Sequence, residues 1–237
     1  MSDPFGLVND YTVIERLRGR GGELQLQRRG GHYEIVYNGV FLMADYNGAS
    51  ERAAVRRSLE RLGAVHRAGP AACRILMGGL GMGFSLQEAL RSPLTAAVTV
   101  VEIEPAVIAW NRAYFRELNG DALADPRVTV INAPFEDLLR AEAAAAAAAH
   151  PWCLVVVDTD NGSTWLSREE NAAIYSAAGL AQIRNCLVAG GLACFWCAAP
   201  EPALARALNR QFRAPVSFEA VLEQTGRHAG FYLAEKP

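Results

Sequence analysis

A mostly parallel α/β sheet of seven strands, preceded by a small antiparallel β unit, is the fold this sequence predicts. Three observations carry the expectation. From about residue 73, continuous apolar runs alternate with stretches of helical spacing: "CRILMGG", "AVTVVEIE", "VTVINA", "WCLVVVDTD" and "GLACFWCA". Strands that are apolar throughout, without alternation, belong to sheets covered on both faces. Between the first such run and the next helical pattern, four glycines crowd into "GGLGMG" at 78–83. The first 50 residues read differently, because "GELQLQRR" alternates and Asn38-Gly39 separates two β-rich runs. That dipeptide between β-rich runs is the strongest short-range hairpin signal.

The β unit is expected over roughly 10–45, with residues 1–48 forming a hairpin unit and lid and 49–237 a catalytic domain. Residues 45–52, "DYNGASER", are assigned to the lid, which would keep water from a reactive centre. A helix follows in "ASERAAVRRSLERLGAVHRAG", with Ser50 as N-cap and Ala53, Ala54, Leu59 and Leu62 at helical spacing. Gly63 or Gly69 would end it, and Pro70 prevents its continuation. Later helices are predicted at roughly 84–91, 105–117, 134–149, 169–187 and 201–212, and late strands in "FEAVLEQ" and "GFYLAE". The alanine run 143–149 reads as a solvated helix end, since Ala is the best helix former.

A length of 237 residues suits one large α/β domain or a small domain plus a medium one, and the net charge of −2 argues against a nucleic-acid binder. No apolar run approaches the roughly 20 residues a membrane helix needs. "MSDPFGLVND" lacks the basic and apolar regions of a signal peptide, so a cytoplasmic protein is expected, free of membrane. The four histidines (His32, His66, His150, His228) have no metal-ligand spacing, and no metal is expected. Cys73, Cys153, Cys186, Cys194 and Cys197 are read as reduced core thiols. Cys194 and Cys197 form a C-x-x-C, but within a strand pattern residues three apart face opposite sides.

In such a sheet, ligands bind beyond the carboxyl ends of the strands, where strand order reverses. The loop holding Gly78, Gly79, Gly81 and Gly83 therefore reads as backbone approaching a nucleotide or amino-acid moiety. The next strand ends in Glu102 and Glu104, and Glu102, 21 positions after Gly81, is spaced to accept from ribose hydroxyls. That spacing alone suits NAD equally well. After the fourth strand comes "DTDNGSTWLS", with Asp158, Asp160 and Asn161 as catalytic candidates and Ser167 as a candidate N-cap. Tyr46, Trp165, Tyr175 and Trp196 fall near predicted loop ends, where aromatic faces stabilise a cation by about 0.5–2 kcal/mol.

Taken together, "RILMGGLGMG", "VTVVEIEPAVIAWNRAYFRELNGDALADPRVTVINAPFEDLL" and "LVVVDTD" resemble the spermidine-synthase-like branch of the class I S-adenosylmethionine (SAM) methyltransferase fold, a Rossmann-like architecture. "LNGDALADPRV" at 118–128 is the most specific part, and the resemblance covers about 75–200. The β unit more loosely resembles the small β domain of aminopropyltransferases. Within the family the sequence is most similar to short bacterial proteins carrying D-x-DNG, here Asp158-Thr159-Asp160-Asn161-Gly162. Departures from the family pattern are equally informative. The Asp that holds the amine of decarboxylated SAM falls on Gly81, which implies intact SAM. The G-D pair whose Asp binds the adenine amine becomes Asn132-Ala133. Asp158 matches the first catalytic carboxylate, whereas the second, which grips the polyamine, falls on Asn161.

The resemblance thus implies SAM as substrate or co-substrate and attack on the methionine γ-carbon with release of methylthioadenosine. Two forms are open: 3-amino-3-carboxypropyl transfer, or cyclisation of SAM's own amine to azetidine-2-carboxylate. In the second, Asp158 or Asp160 would orient or deprotonate an amine whose free pKa is near 8, with Tyr175 completing the site. Small-molecule methyl transfer is the alternative, polyamine aminopropyl transfer the second alternative, and a SAM-binding regulatory module the non-enzyme reading. The partner is a small-molecule substrate, and homodimers are common among proteins of this resemblance.

Overall fold

The computed structural model describes residues 10–66, 73–145 and 152–237. Gly69, Pro70 and the end of the alanine run lie outside them. The chain begins with β1 (Tyr11–Arg18), β2 (Glu23–Arg29), β3 (His32–Tyr37) and β4 (Val40–Ala44), an antiparallel sheet in sequential order. Tyr37 pairs with Val40 across the Asn38-Gly39 turn, both turn residues having positive φ (50° and 76°) as a two-residue hairpin requires.

The second sheet is built from β5 (Cys73–Gly78), β6 (Thr95–Val101), β7 (Val128–Ile131), β8 (Trp152–Val157), β9 (Leu187–Cys197), β10 (Phe218–Leu222) and β11 (His228–Glu235). Its order is β10-β11-β9-β8-β5-β6-β7, parallel except at β11, which runs antiparallel to β9 and β10. Strand order reverses between β5 and β8, the crevice where this architecture binds ligands. The helices are α1 (Ala49–His66), α2 (Phe84–Arg91), α3 (Pro105–Ala113), α4 (Arg116–Asn119), α5 (Phe135–Ala145), α6 (Ala172–Tyr175), α7 (Ala177–Cys186) and α8 (Pro202–Gln211).

Successive strand residues go to opposite cores, which is why these strands read as unbroken apolar runs. Ile75, Met77, Leu154, Val156, Leu192 and Cys194 pack with α1, α2 and α3 on one face. Leu76, Val155, Val157, Ala193, Phe195 and Cys197 pack with α5, α7 and α8 on the other. Cys194 and Cys197 thus sit in different cores as free, buried thiols, and the C-x-x-C is a product of strand geometry. The first core also takes in Leu24, Leu26 and Ile35, so the N-terminal sheet closes over the same face. Trp110 Nε1 fastens it by donating to Glu15, and Tyr33 meets Phe115 edge to face.

Several helix boundaries differ from the sequence expectation, each for a local reason. The helix expected over 105–117 stops at Ala113, where the N–H groups of Tyr114 and Phe115 both turn onto the Trp110 carbonyl and Phe115 enters the core. The stretch 169–187 divides into a 3-10 turn, α6 and α7, because the Ser176 hydroxyl accepts from Gly179 N and starts a new helix. Gly63 lies inside α1 rather than ending it. Ser50 is not the N-cap either. The Glu223 carboxylate, just past β10, accepts from Ala49 N (3.2 Å) and Ser50 N (2.8 Å). It satisfies orphan donors of α1 across the fold, in favourable alignment with the helix dipole. Glu223→Ala is expected to cost about 1 kcal/mol in urea unfolding near pH 6, with Glu223→Gln, which keeps an acceptor oxygen, losing less.

Candidate active site

The main cavity lies at the carboxyl ends of β5, β6 and β8, roofed by Leu24, Ile35, Tyr37, Leu42 and Met43 of the N-terminal sheet. The glycine loop makes its floor, and its glycines divide by purpose. Gly79 (φ 93°) faces the cavity, and a Cβ there would lie 2.0 Å from the Asp158 carbonyl oxygen. Gly81 (φ 52°) also lines the cavity, beneath the Met43 sulfur. Gly78 makes room for the Phe135 ring and Gly83 for Asn111 and Asn119, so these two serve packing instead of the cavity wall.

Glu102 is buried at the end of β6. One carboxylate oxygen accepts from Leu80 N (2.9 Å) and the other from Glu104 N (2.8 Å). A carboxylate has about four lone-pair sites, so acceptor capacity remains toward the cavity. Glu104 does something different from its neighbour: its carboxylate accepts from Arg20 N and Gly21 N in the β1–β2 turn, latching the roof to the floor.

Asp158 follows β8, its N–H on the Gly78 carbonyl and its carboxylate accepting from Ser85 Oγ (3.2 Å) in the first turn of α2. A second buried acid, Glu51, enters the cavity from the first turn of α1 within Coulombic reach of Asp158. Ser50 Oγ donates to Glu51 (2.8 Å) and itself accepts from Trp196 Nε1 (2.8 Å). The sequence reading missed Glu51, since an acid in a first helical turn is ordinarily a dipole-stabilising surface residue. Of the expected lid, residues 49–52 belong to α1, and Glu51 among them lines the cavity.

The remaining candidates sort by position. Asn161 lines the main cavity and a smaller one beside it. Asp160 also borders the cavity, but its carboxylate is taken up by Thr159 Oγ1, Ser167 N and Oγ, and Asn171 Nδ2, so it ties the loop together. Ser167 is therefore a partner of Asp160, not a helix cap. Tyr175 packs behind that loop against the second core, outside the cavity wall. Trp196 lines the main cavity, whereas Trp165 is half exposed in the smaller one. Tyr46 lies away from both, donating to Glu34 and meeting His32 edge to face. Asn132 Nδ2 donates to the Glu102 and Ile103 carbonyls, and Ala133 packs on the second core, so neither forms the wall.

Burial raises the acids: Glu51 to about 8, with Asp158 adding repulsion; Glu102 to about 7; and Asp158 to about 6. Unfolded carboxyls titrate near about 4. Between these limits the folded protein binds more protons than the unfolded one, so stability is full at low pH and falls as pH rises through the folded values. Thermal unfolding from about pH 5 to about pH 8 should show this decline, and Glu51→Gln should flatten it.

No family model matches the chain. A segment of 67 residues is 42% identical to polyamine aminopropyltransferase 1 of Streptomyces coelicolor, taking in 27% of this chain and 12% of that protein's length. The spermidine synthase structure from Thermotoga maritima superposes with a TM-score of 0.72 at 14% identity, over 95% of this chain and 73% of that one. Human methyltransferase-like protein 13, solved with SAH, gives 0.57 at 15% identity over 79% of both chains. The chain therefore has the spermidine-synthase-like form of the class I methyltransferase fold.

Proposed function

We propose that the protein is a transferase that moves a carbon chain from a nucleoside sulfonium of the SAM type onto an amine, as polyamine aminopropyltransferases do. The observation that carries this reading is the pair of buried acids, Glu51 and Asp158, sharing one cavity with Glu102 and held only by neutral donors. Buried carboxylates without a cation are costly, and a cationic ligand would offset that cost. Both an amine substrate and a sulfonium are such ligands.

The residues present fit a nucleoside sulfonium. Glu102 has acceptor capacity left for ribose hydroxyls, and Val101, Ile103 and Phe135 give apolar surface for a base. Glu51 and Asp158 would hold the amine, and Asp158, raised toward neutrality, is suited to take the proton released as the N–C bond forms and the C–S bond breaks. The electron pair of the broken bond stays on sulfur, leaving a neutral thioether, methylthioadenosine.

The aminopropyltransferase match favours an external amine over self-cyclisation, the other form that the resemblance left open. One observation favours a second reading for the donor. Gly81 puts bare backbone where the family's aminopropyl-binding Asp would stand, which suits a donor that keeps its own carboxylate. In that case the transferred group is 3-amino-3-carboxypropyl.

The test is incubation with SAM or decarboxylated SAM, with and without amines, following nucleoside products by mass spectrometry. Methylthioadenosine that appears only with an amine is the expected result, lowered about 10²–10⁴-fold by Asp158→Asn. Methylthioadenosine from SAM alone, with an equimolar azetidine acid, would establish cyclisation, and S-adenosylhomocysteine would establish methyl transfer. Binding with no product under any condition would leave a regulatory module.

A further inference from the structure

Beside the main cavity lies a second one, and the two share Tyr37, Leu42, Asn161 and Ser167 as common wall. Val40, Phe41 and Leu42 of β4 and Trp165 and Leu166 of the loop after β8 give it a largely apolar wall, with Asn38 and Ser167 as further neutral polar groups. Val40, Phe41 and Trp165 are 46%, 40% and 50% exposed, large apolar side chains left in water at a single spot. Clusters of this kind on an otherwise ordinary surface mark binding sites.

Both sides of this cavity are held in place. Val40 and Phe41 follow the tight Asn38-Gly39 turn, whose positive-φ residues fix their exit from the hairpin. Trp165 sits between two clamps. Upstream, the Glu201 carboxylate accepts from Ser163 N (3.0 Å) and Thr164 Oγ1 (3.0 Å); downstream, the Asp160 carboxylate accepts from Ser167 N (2.7 Å). An exposed indole held by anchored neighbours binds with little ordering cost. Among the described residues, no Asp, Glu, Arg, Lys or His lines the second cavity. The second ammonium of a diamine would find no counter-charge there, whereas hydrocarbon would be well matched.

We infer that the second cavity seats the body of the acceptor, and that the acceptor is a monoamine with an apolar arylalkyl body. In this arrangement its nitrogen is directed into the main cavity, which Glu51 and Asp158 line, while its ring lies against Phe41 and Trp165. This inference rests on the amine-acceptor reading above and narrows it.

Isothermal titration of the full chain with phenethylamine and with putrescine, in the presence of methylthioadenosine, tests it. Phenethylamine should bind at least about tenfold more tightly than putrescine, and Trp165→Ala and Phe41→Ala should each weaken it about fivefold. Methylthioadenosine affinity should be unchanged in both variants, which distinguishes a lost subsite from a damaged fold. In turnover assays the same variants should raise KM for phenethylamine with kcat near the parent value. Putrescine binding as well as or better than phenethylamine, or variants without effect on binding, would overturn the inference. Turnover with putrescine alone would also overturn it while leaving amine transfer intact. Tight, Trp165-dependent binding of phenethylamine without turnover of either donor would uphold the subsite and refute the transferase reading.

Discussion

Carboxylates buried with no ion-pair partner among the described residues are the constraint around which this molecule is arranged. Glu51, Glu102 and Asp158 come from α1, β6 and the loop after β8, converging on one cavity with only hydroxyl and backbone N–H donors to hold them. Such an arrangement costs stability, and the large apolar cores on both faces of the sheet must offset it. In this respect the site resembles others where strained electrostatics are retained for a ligand of opposite charge. Arg168, the cation in the same wall, is directed elsewhere, pairing with Glu136 and Glu170.

The close approach of β5 and β8 makes that convergence possible. With Gly79 lacking a side chain, the loop after β5 comes against the backbone of Asp158, which in turn is fixed by its own N–H on the Gly78 carbonyl. Any larger residue would push the glycine loop away from the acid and widen the crevice. The Glu104 latch on the β1–β2 turn then sets how closely the roof descends on this floor.

The sheet was legible in the sequence because burial on both faces writes itself as unbroken runs, from "RILMGG" to "ACFWC". The hairpin at Asn38-Gly39 was legible because few residues accept positive φ. Glu102 and Asp158 could be placed because strand ends in such a sheet are where ligands bind. Glu51 could not, since its role depends on α1 packing across β9 rather than on local pattern. Asp160 shows what letters alone do not: a second acid in that loop borders the cavity while its carboxylate braces the loop from within. Aromatic residues were the least readable. Tyr46, Tyr175, Trp165 and Trp196 look alike as letters, yet only Trp196 reaches the main cavity.

The cap on α1 has a consequence at a distance. Glu223 belongs to the turn between β10 and β11, at the far edge of the sheet, yet it grips the N–H of Ser50, the residue immediately before Glu51. The outermost hairpin thus acts as the mount for an acid in the crevice, although it contributes no side chain to the cavity. Lengthening or reshaping that hairpin would re-aim Glu51 as a screw adjusts a mirror, giving the protein's descendants a way to retune the site without touching it.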